Sequence, residues 1–155
     1  MNNTDAQAKY VLVVIDMQYG FRASQSEAQI EAVAAEIEAA IELGRPIVVL
    51  EYKKYPATNE RLIALLAGRY DKYAIAVKKD DDGSEELIDA CIEHEFPGGH
   101  FRVCGVNTHW CVTSTVLGLA EKLDESLIEV VKAACNDEDG NDWEKFPKLA
   151  NVVLV

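Results

Sequence analysis

Three side chains of this 155-residue sequence could together carry nucleophilic chemistry: the carboxylate of Asp16, the ammonium of Lys78 or of its neighbour Lys79, and the thiol of Cys111. Each stands just beyond an apolar run. Asp16 follows residues 10–15, Lys78 follows 73–77, and Cys111 comes after 101–106 and a short polar segment (NTHW). A thiolate is the reactive form of cysteine, and a helix N-terminus together with a nearby ammonium lowers a thiol's pKa. Cys111 is therefore expected as a thiolate. A carboxylate within reach can take the thiol proton and later return it to a leaving amine. Backbone N–H groups near a helix start can hold the oxyanion that forms on an attacked carbonyl. Acyl transfer to Cys111, then hydrolysis of the thioester, is the reaction class these residues suggest. Taken singly, each has a plainer use: Asp16 as a loop cap, Lys78 as a solvated charge, Cys111 as a packed thiol.

The elements that must position them alternate between short apolar runs and helical patterns. The run at 10–15 (YVLVVI) is continuously apolar and β-branched, as expected of a strand buried on both faces. Further runs at 47–50, 73–77, 101–106, 126–131 and 151–155 predict five more strands. A helix is predicted at 26–43, where Ser26 and Gln29 fit a capping box and Ile30, Val33, Ile37, Ala40 and Ile41 form one apolar stripe. Others are predicted at 59–67, from a Ser84 cap to about residue 95, from near Cys111 to about 123, and at 143–149. Strands separated by helices, with no alternation inside the runs, specify an α/β fold. It is three-layered and doubly wound, a six-stranded, mostly parallel sheet with helices on both faces. Ligands of such sheets lie beyond the carboxyl ends of the strands, near the switch in strand order. Asp16, Lys78 and its neighbour Lys79, and Cys111 all fall at that edge.

Composition narrows the partners. The length predicts one domain, residues 1–155. With 49% hydrophobic and 27% charged residues the chain is too apolar for disorder. Fifteen basic residues against 27 acidic ones leave a formal net charge of −12. That sign repels phosphate backbones and anionic lipid surfaces, so neither nucleic acid nor membrane is an expected partner. No apolar run approaches the ~18 residues of a membrane span. Residues 1–9 lack the basic-then-apolar layout of a secretory leader, and a soluble, cytoplasmic protein is expected. Cysteines 91, 104, 111 and 135 include no C-x-x-C pair, so reduced thiols are the expectation, with Cys91, Cys104 and Cys135 read as core residues. Two acidic runs fail as calcium loops. Placing Gly83 at the loop's glycine position puts Lys78 at its first ligand, and placing Gly140 there puts Cys135 at it.

Three segments resemble the signatures of the isochorismatase-like cysteine hydrolases, a superfamily that includes nicotinamidases and N-carbamoyl amidohydrolases. They are VVIDMQYGF at 13–21, VKKDDDGS at 77–84 and CGVNTHWCVTSTVLGLAE at 104–121. The third is the most specific, joining G-V-x-T-x-x-C-V-x-x-T to a helix of small residues. The resemblance implies Asp16 as general base, Lys78 as the triad lysine with Lys79 as its rival, and Cys111 as nucleophile. It implies a cis peptide bond between Val106 and Asn107, which would aim the amide of Asn107 at the same point as that of Cys111 and form an oxyanion hole. Gln18 would orient the first loop, and with Phe21 and Trp110 it makes up the substrate-binding set. The D-x-H metal motif of nicotinamidases is replaced by Glu51, Tyr52, Lys53 and Lys54, so no metal or other cofactor is expected. The Ser-Ala-Phe-like stretch after the lysine is replaced by residues 80–83 (DDDG). The implied function is metal-independent hydrolysis of a C–N bond in a small amide or carbamoyl substrate through a Cys111 thioester. Two alternatives stand beside it. One is a catalytically silent member of the fold that binds a small molecule or a protein; the other is a vinyl ether hydrolase of the isochorismatase type. A homodimer or higher homo-oligomer is expected by the same resemblance.

Overall fold

Residues 9–155 are described by a computed structural model in which six parallel strands form one sheet. They are β1 (Val11–Ile15), β2 (Ile47–Tyr52), β3 (Tyr73–Lys78), β4 (His100–Val106), β5 (Leu127–Asn136) and β6 (Val152–Leu154), in the order β3-β2-β1-β4-β5-β6. The leader reading for the first nine residues lies, up to residue 8, outside the described residues. Four α-helices are described: α1 (Glu27–Glu42), α2 (Glu60–Ile63), α3 (Ser84–Glu93) and α4 (Thr113–Lys122). None of them is long and apolar enough to cross a membrane.

Alternate residues of β1 feed opposite sides of the sheet. Val11, Val13 and Ile15 join Leu87, Val116 and Leu119 of α3 and α4 in one core. Leu12 and Val14 join Ile30, Val33 and Ile37 of α1 in the other. A strand with both faces covered has no solvated side, which is why its sequence shows no polar alternation. Each such aliphatic side chain contributes about 1.5–3 kcal/mol by leaving water. The architecture is thus the three-layer, doubly wound one that the alternating runs specify, and the sheet is wholly parallel. The chain enters at its centre, walks out through β2 to β3, then returns past β1 to lay down β4, β5 and β6. Strand order reverses between β1 and β4, and the crevice this opens lies beyond their carboxyl ends.

Several boundaries differ from expectation for physical reasons. β5 runs on to Asn136 because it bulges against β4: Val103 pairs with Val130, but Gly105 pairs with Cys135. The bulge needs a donor for its buried carbonyls, and Gln29 supplies it, its Nε2 reaching Ala134 O at 2.9 Å and Gly105 O at 3.3 Å. The capping box is therefore half formed. Ser26 Oγ accepts the Gln29 amide at 3.2 Å, while the Gln29 side chain turns inward. Ser84 is not a cap but the first residue of α3, and Asp82 Oδ1 accepts its amide at 2.8 Å. The helix expected at 143–149 shrinks to a single 3-10 turn, Trp143–Lys145, because Pro147 holds Phe146 in extended backbone. At 59–67 only Glu60–Ile63 is α-helical. The helix expected from Cys111 begins earlier, with a π-helical turn at Thr108–Val112 that continues into α4.

Candidate active site

β1 delivers the carboxylate. Asp16 continues the ladder, its amide donating to Leu50 O at 3.1 Å, and then turns into the left-handed region at φ 52°. Asp is among the few side chains that tolerate that conformation. Gly105, facing Ile15 across β1 and β4, makes the junction possible. A Cβ there would lie 2.1 Å from Ile15 O, and its φ of 126° favours glycine. Gln18 is buried and faces the loop after β2. Its Nε2 donates to Tyr52 O at 3.1 Å and Pro56 O at 2.8 Å, and its Oε1 accepts the Tyr52 amide at 2.7 Å. Its polar atoms are thus engaged with backbone, as suits orienting the loop, and substrate contact is the part of the expectation that this geometry opposes.

β3 delivers the ammonium. Lys78 is fully buried and Lys79 is exposed, so of the two rivals it is Lys78 that faces Asp16. Lys78 Nζ lies 3.0 Å from Asp16 Oδ2, donates to Asp80 O and Asp81 O at 3.1 and 3.3 Å, and sits 4.2 Å from the centre of the Tyr52 ring. A carboxylate, two carbonyls and an aromatic face together offset the cost of taking this charge out of water. Gly83 leaves room for the lysine stem, since a Cβ there would fall 2.7 Å from Lys78 Cδ.

The turn after β4 delivers the thiol. The Val106–Asn107 peptide bond is cis. In the π-helical turn that follows, Asn107 O accepts from Trp110 N and Val112 N, both at 3.1 Å, passing over the Cys111 amide between them. Cys111 is 3% exposed, and its thiol donates to Asp81 Oδ1 at 3.8 Å.

Electrostatics corrects one expectation. Burial pushes the Asp16 carboxyl up, and Lys78 and the neighbouring Cys111 thiol oppose that without cancelling it. Burial, then Asp16, pushes the Cys111 thiol well above its ordinary value; Asp81 adds to this and Lys78 opposes it. Burial and the Asp16 carboxylate thus push the sulfur toward its protonated form, against the thiolate expected from a helix start and a nearby lysine. The lysine's charge is already matched by Asp16. The amides after the cysteine are taken too, Val112 N by Asn107 O and Thr113 N by Thr108 O.

Two residues of the cluster were not singled out by sequence reasoning. Tyr52 lies where a metal motif was sought and instead roofs the lysine. Asp81 sits in a run of three aspartates, and it is the one whose carboxylate approaches Cys111. Phe21 packs against Tyr55 and Tyr52 with ring centres 4.4 and 6.2 Å apart. Trp110 is 62% exposed and lines a depression with His109, Asp137 and Asp142 to which Cys111 does not contribute. The metal that nicotinamidase-like proteins would imply does not fit the residues present. Glu51 spends its carboxylate on the amide and hydroxyl of Thr58, both at 2.7 Å, and a tyrosine and two lysines follow it.

No protein-family model matches the chain, and no curated protein matches it. Solved structures do. A ribonuclease from Caenorhabditis elegans superposes with a TM-score of 0.71 at 21% identity, over 84% of this chain and 66% of that one. A nicotinamidase from Bacillus subtilis gives 0.70 at 16% identity, over 87% and 91%. An isochorismatase from Pseudomonas putida gives 0.67 at 18% identity, over 86% and 76%. The chain has the fold of the isochorismatase and nicotinamidase structures.

Proposed function

We propose, from the isochorismatase-like fold this chain carries, that it is a metal-independent cysteine hydrolase cleaving a C–N bond of a small amide or carbamoyl compound. The observation that supports this reading most is the convergence of three side chains from three separate strand ends: Asp16, Lys78 and Cys111. Asp16 and Lys78 meet at 3.0 Å with both side chains sealed from solvent, an arrangement costly for stability alone.

In this reading Asp16 accepts the Cys111 proton as the sulfur bonds to the substrate carbonyl carbon. A protonated resting thiol calls for such a base, because the nucleophile must be generated during attack. The carbonyl π electrons move to oxygen, and the amides of Asn107 and Cys111 hold the oxyanion. Collapse of the tetrahedral species breaks the C–N bond, and the leaving nitrogen takes the proton from Asp16. Water then adds to the thioester carbonyl while Asp16 accepts its proton. The second collapse releases the carboxylic or carbamic acid, and the sulfur recovers its proton from Asp16. Lys78 keeps the carboxylate ionised and in place throughout. Gln18 holds the end of β2 and the loop after it, and Phe21, packed on Tyr52, is the aromatic side chain proposed for the substrate, whereas Trp110 lines a separate depression.

Cys111→Ala should abolish turnover of any amide the protein hydrolyses while leaving its circular dichroism spectrum unchanged. Mass spectrometry of a quenched reaction should find an acyl group on the peptide containing Cys111. Normal turnover by Cys111→Ala would end the proposal, and binding of amides with no adduct and no turnover would favour the silent-binder reading. The ribonuclease activity of one structural neighbour does not carry over readily, because a chain of charge −12 repels a phosphate backbone.

A further inference from the structure

Beside the nucleophile stands a carboxylate that the triad does not use. Asp81 Oδ1 is 3.8 Å from the Cys111 sulfur, and among the described residues no Lys, Arg or His lies within ion-pair distance of the Asp81 side chain. Its two neighbours behave differently. Asp82 caps α3 through the Ser84 amide at 2.8 Å and lies 3.7 Å from Lys122, while Asp80 offers its carbonyl to Lys78. The position of Asp81 is fixed through its backbone: its carbonyl accepts from Lys78 Nζ and from Thr115 Oγ1, each at 3.3 Å. Gly118 lets this loop approach α4, since a Cβ there would fall 2.4 Å from Asp82 Oδ2.

The buried cation beneath the site is already matched by Asp16, so the unneutralised charge next to the sulfur is negative. The Tyr52 hydroxyl reports it, pushed up by burial and by the Asp81 carboxylate it faces. The ring of Tyr52, packed with Phe21 and Tyr55, adds an aromatic wall on the same side, and aromatic faces attract cations. Lys78, already paired with Asp16, lies 4.2 Å from the centre of that ring, and the exposed Lys54 lies 5.9 Å from it. We propose that Asp81 is the specificity determinant of this site, selecting amides or carbamoyl compounds that carry a positive charge within a few bonds of the scissile carbonyl and rejecting anionic ones. In reactive geometry the carbonyl carbon sits about 3–3.5 Å from the sulfur, which brings such a cationic group against the Asp81 carboxylate.

The proposal rests on the hydrolase reading for its meaning, but it can be tested without turnover. Three methanethiosulfonate reagents, bearing a trimethylammonium, a sulfonate or no charge, would be reacted with the protein. Modification of Cys111 would be followed by peptide mass analysis, with rates normalised to those on free cysteine. The cationic reagent should modify Cys111 about tenfold faster than the anionic one, the size expected of one nearby unit charge in a partly solvated site. Asp81→Asn keeps the backbone carbonyl that anchors the loop and should bring the ratio close to one. High salt should compress the ratio in the unaltered protein. An unchanged ratio in Asp81→Asn, a preference for the sulfonate reagent, or no reaction at Cys111 with any of the three would each overturn the proposal. In parallel, benzamide and its trimethylammonium-substituted analogue would be compared by kcat/KM. If neither is hydrolysed while the reagent ratio holds, the hydrolase reading fails and the charge selectivity of the site stands.

Discussion

Two charge networks flank the same central strands and are built in opposite ways. Nearer the amino ends of β4 and β5, Arg102 gives Nε and Nη2 to Glu36 at 2.7 and 3.0 Å and Nη1 to Glu129 at 2.9 Å, and His100 Nε2 lies 3.1 Å from Glu129. At the carboxyl ends, Asp16 meets Lys78 at 3.0 Å, and no ordinary hydrogen bond reaches either of its oxygens among the described residues. The first network is partly solvated, and its hydrogen bonds to Glu36, opposed by some desolvation, hold the Arg102 guanidinium more firmly protonated. The second is sealed, and its carboxyl is pushed toward protonation. The same chemical pairing is structural where its charges are well matched. In the proposed reaction, the sealed pair is the one that moves a proton.

That contrast predicts opposite consequences for breaking each network. The largest effect should come from Asp16→Asn, which removes the proposed proton acceptor and should lower kcat by about 10²–10⁴-fold. Its urea midpoint should match or exceed that of the unaltered protein, because an ionised carboxylate no longer has to be buried. A marked loss of stability with turnover intact would invert the comparison. Arg102→Met should do the reverse. It leaves Glu36 and Glu129 without their charged donor, costs about 1–3 kcal/mol in chemical denaturation, and keeps kcat/KM per folded molecule unchanged.

A smaller effect sharpens the contrast through pH. The ordinary carboxyl value is 3.8, and in the folded chain Asp16 lies above it. The folded state thus retains a proton that the unfolded chain releases. Stability should fall as pH rises from 3.8 to the raised value, and the cost should persist above it. Asp16→Asn should flatten that slope. Activity should run the other way, kcat/KM climbing through the same window as Asp16 ionises. Removing the ammonium with Lys78→Met should shift that acid limb to higher pH; an unmoved limb would mean that some other group sets it.

Much of the fold was legible because its rules are local. Runs such as YVLVVI can only be buried on both faces, and the apolar stripe that predicts a helix at 26–43 forms α1. What was misread depended on distant partners. Gln29 looks like half of a capping box, yet it serves a bulge in β5 more than a hundred positions away in the chain. The helix expected at 143–149 carried its own contrary signal in Pro147. At the site, residue types placed after strand ends were enough to nominate Asp16, the Lys78–Lys79 pair and Cys111. Adjacent residues such as Lys78 and Lys79, or Asp80, Asp81 and Asp82, differ only in which way the backbone points them.

By itself, then, the amino-acid sequence determined the layers, the edge of the sheet where chemistry could occur, and the side chains available there. Burial patterns and residue types are properties of short segments. Only the tertiary structure decided which lysine meets the carboxylate, that Asp81 reaches the thiol, and that burial pushes the sulfur toward its protonated form. Those outcomes depend on solvent exclusion and on charges brought together from β1, β3 and the turn after β4, and no stretch of sequence contains the distances between them.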